Sequence, residues 1–257
     1  MAVIQSSAAR LRRQRNVVLA SLLVLAAACW LVVLRQAGMT QGIGLTMGLT
    51  LPLFLLAWVA MMIAMMFPTA APMILMFGRV AADKQERAQP FVPTWVFVSA
   101  YLVVWVGFGV VAYAAATGLN ALAMQSTWLM GNAARLGGGV LLLAGLYQLS
   151  PLKSLCLTEC RSPLSFLLTA WRDGYAGAFV MGLKHGAYCL GCCWLLFVIL
   201  FPLGVMNIAA MVGLTVLIFA EKSLAWGSAI ARVAGLALVG YGAVVLVTAH
   251  GLPGMTM

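Results

Sequence analysis

Charge is what this chain has least of. Of its 257 residues only 8% are charged, and just 5 of these are Asp or Glu. A soluble domain of this length carries about a quarter of its residues charged, so a water-exposed globular fold is excluded. Disorder is excluded as well, because 64% of the side chains are apolar and a disordered chain needs low hydrophobicity. With so few carboxylates, a site for hard cations such as Ca²⁺ or Mg²⁺ is poorly supplied. Only 2 histidines are present, and no glycine-rich phosphate loop follows a strand pattern. Hydrolase and nucleotide chemistry therefore find little to work with, and a binding role is expected ahead of a catalytic one.

What is there instead is long apolar runs, each near the roughly 20 residues that a helical membrane crossing needs. They cover 16–34, 49–77, 94–117, 136–149, part of 174–203, 206–220 and 229–249. The alternating ten-residue pattern of a β-barrel is not seen. The reading is all-α: a polytopic transmembrane helical bundle of seven spans, or six if the fourth run only re-enters. The first run has a basic lead-in and contains Ala26-Ala27-Ala28, as a signal peptide would. It is longer than a usual signal core, so a retained anchor is expected. Residues 1–257 read as one domain, with 1–15 a basic cytoplasmic segment.

The net charge of +10 has its explanation in topology. Arg10, Arg12, Arg13 and Arg15 precede the first run, and Arg79, Lys84 and Arg87 follow the second. Lys153, Arg161 and Arg172 lie between the fourth and fifth, and Lys222 and Arg232 between the sixth and seventh. The alternate connections hold Arg35 and Arg135 alone. This is the bias that places basic loops and the N-terminus in the cytoplasm. The bilayer is thus the expected partner, and nucleic acid is not needed.

Against this poverty of charge stands sulfur, with 6 Cys and 16 Met. Cys156 and Cys160 form a Cys-x-x-x-Cys. Cys189, Cys192 and Cys193 form a Cys-x-x-Cys-Cys behind His185. On a helix, residues three or four apart share a face, so His185, Cys189 and Cys193 line up with Cys192 beside them. Thiolate and imidazole hold Cu(I), Zn or iron–sulfur clusters. Both groups adjoin the same connection, which makes a shared site geometrically reasonable. The alternative is that these thiols are small buried apolar groups, which is the expectation for the isolated Cys29. A third reading is a thiol–disulfide relay, which needs only a Cys-x-x-Cys and an acceptor.

The second run carries Met61, Met62, Met65, Met66 and Met73 at helical spacing, interrupted by Pro68 and Pro72. Each proline removes a backbone donor and bends the helix, and Pro68 frees the carbonyl of Ala64. Thioethers select Cu(I), although methionine also fills gaps around a kink. Lys184, inside the fifth run, is read as an intramembrane charge with Glu221-Lys222 as its partner, against a lysine that merely snorkels. Ala178, Gly182 and Gly186 give the same run a smooth strip for close packing. His250 lies near the C-terminal end and enters no constellation.

Several of these motifs together resemble a bacterial family of predicted metal-binding integral membrane proteins. They are Trp58-x-x-Met61-x-x-Ala64-Met65-Met66-x-Pro68-x-x-x-Pro72-Met73, the stretch from Tyr147 to Pro163, Gly186-x-x-Cys189-x-Gly191-Cys192-Cys193-Trp194, and Glu221-Lys222. The resemblance spans roughly 51–222. It implies a multi-helix protein of the bacterial inner membrane with a metal role, and supplies no reaction. Taken with the residues, the leading expectation is Cu(I) handling or delivery to a metal chaperone or membrane partner. Cys156, Cys160, Cys189, Cys192, Cys193 and His185 are the expected ligands, and the methionines a weaker relay. A thiol oxidoreductase and a non-catalytic scaffold subunit are the alternatives.

Overall fold

A computed structural model describes residues 2–40, 44–87 and 92–249, and His250 lies outside the described residues. Among these the chain is helical, with no β-strand. The long helices are α1 (Ala2–Thr40), α2 (Leu51–Glu86) and α3 (Thr94–Gln125), followed by the short α4 (Thr127–Gly131). Then come α5 (Ala133–Gln148), α6 (Pro151–Arg161), α7 (Pro163–Ala170), α8 (Gly174–Val198), α9 (Leu200–Leu203), α10 (Ile208–Ser223) and α11 (Gly227–Thr248).

Among the described residues, five helices are long and apolar enough to cross a membrane: Arg12–Met39, Leu51–Gln85, Thr94–Gln125, Gly174–Leu203 and Gly227–Thr248. A sixth is reached if α5 and α6, bent by 63° at their junction, count as one span. The bend follows from Pro151. Proline disfavours the helical region for the residue before it, and Ser150 is extended at φ −74°, ψ 150°. Its Oγ then caps α6 by accepting from Lys153 N–H. The sixth expected run, 206–220, falls short. It corresponds to α10, whose 16 residues reach only about 24 Å at 1.5 Å per residue, against about 30 Å of hydrocarbon.

Pro68 and Pro72 both sit inside an uninterrupted α2. The orphaned carbonyl of Ala64 finds a substitute donor, since Trp30 Nε1 of α1 reaches it at 3.1 Å. That bond also registers α1 against α2. Small residues set the other close approaches. A Cβ on Gly182 would lie 2.3 Å from Phe97 O, so the predicted strip on α8 is a bare-backbone contact with α3. Gly145 of α5 meets the Gly235 carbonyl of α11 in the same way, at 2.7 Å. Between these contacts lies a core of large rings, with Trp58, Phe97, Tyr101 and Trp105 fully buried. The outer faces stay apolar: Val24, Val111 and Val247 are all exposed.

The basic connections meet at one end. Lys84, at the end of α2, is ion-paired with Asp173 at the entrance to α8, and its ammonium stands 5.0 Å from the Trp171 ring centroid. Arg161, closing α6, donates to the carbonyls of Glu221 (2.9 Å), Leu224 (2.8 Å) and Ala225 (3.1 Å) at the end of α10.

Candidate metal centre

Helix α8 presents its sulfur on an inward face. Cys189, Cys192 and Cys193 are buried, and His185 lies one turn before them. Helix α6 crosses α8 with its own periodicity: Lys153, Leu157 and Cys160 fall at i, i+4 and i+7 and turn inward. The Cys160 sulfur comes to 4.0 Å from that of Cys192. Two thiolates on one metal at about 2.3 Å in tetrahedral geometry lie about 3.8 Å apart, so the Cys160–Cys192 pair already has ligand-pair spacing.

Cys189 is the hub. Its sulfur lies 3.1 Å from the Tyr101 hydroxyl and 3.0 Å from the Lys222 ammonium. Its carbonyl accepts from the thiols of Cys192 at 3.1 Å and Cys193 at 2.8 Å. Those two thiols are thus turned to backbone rather than to a common point. Among the described residues no group of three or more His, Cys, Asp or Glu side chains is arranged to hold a metal ion. All six cysteines are free thiols.

The expected ligands separate into those that gather and those that do not. Cys160, Cys189, Cys192 and Cys193 gather. Cys156 sits against bare backbone, its sulfur 2.8 Å from where a Cβ on Gly191 would be. His185 is held in an aromatic cage, with ring centroids of Phe97 and Tyr101 at 5.8 Å and Phe166 at 5.7 Å. Its Nδ1 is buried with no hydrogen-bond partner. Met61, Met62, Met65, Met66 and Met73 are all buried in the core, on a helix that shares α3 as a neighbour with α8.

The expected charge pairing needs correction. Lys184 is exposed, and no ion pair of the described residues includes it. Glu221 is paired with Lys153 at 2.7 Å and accepts from Gln148 Nε2 at 2.7 Å, while Lys153 also donates to Gln148 Oε1. Lys184 points outward because the inward face of α8 is taken by His185, Met181 and the thiols. The neighbour of Glu221, Lys222, is the cation that reaches sulfur. Sequence reasoning passed over Tyr101 and Lys153. Their signals were the ring spacing Phe97, Tyr101, Trp105 on α3 and the inward face of α6 once its start at Pro151 is fixed.

Helices of membrane length thus enclose a buried thiol cluster with the Lys222 ammonium beside it. A family model described as PpoB2, copper chaperone, matches residues 55–245, which takes in every residue of the cluster. The chain belongs to that copper chaperone family. No curated protein and no solved structure matches it.

Proposed function

We propose that this protein is a multi-pass protein of the bacterial inner membrane, its N-terminus cytoplasmic, that takes Cu(I) as cargo and delivers it to a partner. Cys160, Cys189, Cys192 and Cys193 are the ligands that receive the ion. The observation that carries the reading is the arrival of Cys160, on α6, beside the sulfurs of α8. Thiolates bind Cu(I) strongly. Two thiolates on Cu(I) leave one negative charge in an apolar surrounding, a state that is costly unless a counter-charge is near. Lys222 supplies it, 3.0 Å from the Cys189 sulfur. Loading requires the Cys192 and Cys193 thiols to leave the Cys189 carbonyl, a rotation about χ1. Cys156, against Gly191, stands at the edge as a point of transfer, and the methionines of α2 serve as a weaker relay. The copper chaperone family and the apolar outer faces support this reading.

The test is anaerobic loading of the detergent-purified chain with Cu(I), followed by elemental analysis after desalting. Near-stoichiometric copper is expected, with loss in the Cys189→Ala/Cys192→Ala/Cys193→Ala variant and a strong reduction in Cys160→Ala. Undiminished copper in the triple variant overturns the assignment. A thiol–disulfide relay is the second reading, favoured by the 4.0 Å approach of Cys160 and Cys192. It predicts a dithiol that oxidises to a disulfide without metal, detected by alkylation and mass analysis. A copper site instead protects the thiols until chelator is added.

A further inference from the structure

Five of the arginines outside the copper reading border one groove. Arg10, Arg12, Arg13 and Arg15 of α1 and Arg79 of α2 line one groove of about 850 Å³, within the range of small-molecule sites. Among the described residues none of them joins an ion pair and no carboxylate lines the groove. Positive-inside bias accounts for the side these charges occupy, and the packing of α1 on α2 adds that all five border the same groove. All five are arginine, whose planar fork matches phosphate oxygens in pairs. The groove is not polar throughout, since Val17, Leu75 and Met76 also line it. Helix α1 runs 39 residues, about 58 Å at 1.5 Å per residue, far more than the hydrocarbon thickness. Its third and fourth turns, which carry Arg10 to Arg15, therefore have room to stand at headgroup depth while the turns from Val17 onward stay among acyl chains. The family match begins at residue 55, so α1 and its arginines lie outside it.

We propose that this groove is a binding site for an anionic phospholipid. The arginines clasp the phosphate, and the acyl chains cover Val17, Leu75 and Met76. The occupant is a lipid rather than free phosphate because Val17, Val18, Leu75 and Met76 border the groove beside the arginines, with Val17 exposed on α1. The proposal rests on the membrane reading but not on the copper one.

The test uses the full chain in neutral detergent. Native mass spectrometry is titrated with phosphatidylglycerol, with phosphatidylcholine of the same acyl chains, and with inorganic phosphate. About tenfold preference for phosphatidylglycerol over phosphatidylcholine is expected, with no binding of inorganic phosphate at matched concentration. Arg79→Gln should weaken the anionic lipid about fivefold, as one cation near a headgroup does, and Arg12→Gln/Arg15→Gln further. Arg232→Gln, an equal loss of charge on exposed α11, should leave it unchanged. Should a variant fold poorly, Arg79→Lys and Arg12→Lys/Arg15→Lys keep the charge and should still lose part of the preference. Equal binding of both lipids, binding of phosphate alone, or an equal effect of Arg232→Gln overturns the site. Copper content is expected to stay unchanged in every groove variant, so failure here is separable from failure of the copper reading. Release of the chain from membranes by alkaline carbonate would instead overturn the membrane reading itself.

Discussion

The buried ion pair at the end of α10 offers the sharpest test of how this bundle holds its thiols together. Lys153 and Glu221 side chains are 1% and 2% exposed and 2.7 Å apart, with Gln148 bonded to both. This triad ties α5, α6 and α10 at one point, and it fixes the rotation of α6 that turns Cys160 toward α8. Lys153→Met leaves the Glu221 carboxylate buried with only an amide donor. Removing one partner of a buried pair costs about 3–5 kcal/mol, whereas replacing both is often close to neutral. Lys153→Met/Glu221→Gln should therefore recover to within about 1 kcal/mol of the parent protein, a large negative deviation from additivity. The assay is unfolding of the purified chain in detergent by denaturant, followed by helical signal. Copper occupancy, measured alongside, should fall in Lys153→Met and return in part in the double variant. If Lys153→Met costs under about 1 kcal/mol, or if the two substitutions simply add, the triad does not carry the load argued here.

Other expectations follow from single contacts. Gly182→Ala places a Cβ 2.3 Å from Phe97 O and should force α3 and α8 apart at a cost of about 1–3 kcal/mol. Gly107→Ala, with nothing within 4 Å, should be neutral or stabilising by up to about 1 kcal/mol through helix propensity; both are read by the same unfolding assay. Trp30→Phe keeps the ring but strands the Ala64 carbonyl freed by Pro68, and a loss of about 1–3 kcal/mol is expected. Asp173 has its carboxyl held below the usual value by the hydrogen bond from Lys84, with a second from Trp171. A lowered folded value means the link contributes above the unfolded value and is lost as pH falls through the folded one. Proteolytic nicking of the segment before α8 should therefore rise only in strong acid. Asp173→Asn should make it pH-independent across that range.

Much of this architecture is written locally. Runs of apolar side chains near membrane length, broken by Ser150-Pro151 and Ser162-Pro163, foretell helices and their junctions because proline disfavours the helical conformation in the residue before it. The spacing of His185, Cys189, Cys192 and Cys193 foretells one sulfur-bearing face, since a helix has a fixed period. The strip at Ala178, Gly182 and Gly186 likewise announces a close neighbour without naming it. The span count was less legible, because hydropathy does not reveal that α10 stops at 16 residues.

Which groups meet was decided only in three dimensions. Nothing in the chain's order says that Cys160 rather than Cys156 reaches the α8 thiols. That depends on the 63° turn between α5 and α6 and on the rotation set by Lys153. Nor does it say that Glu221 pairs with Lys153 instead of Lys184, or that Lys222 lies against sulfur. Periodicity assigns a residue to a face of its own helix. Which partner that face meets is settled by how whole helices pack, and a charge buried there takes whichever opposite charge the packing brings within reach.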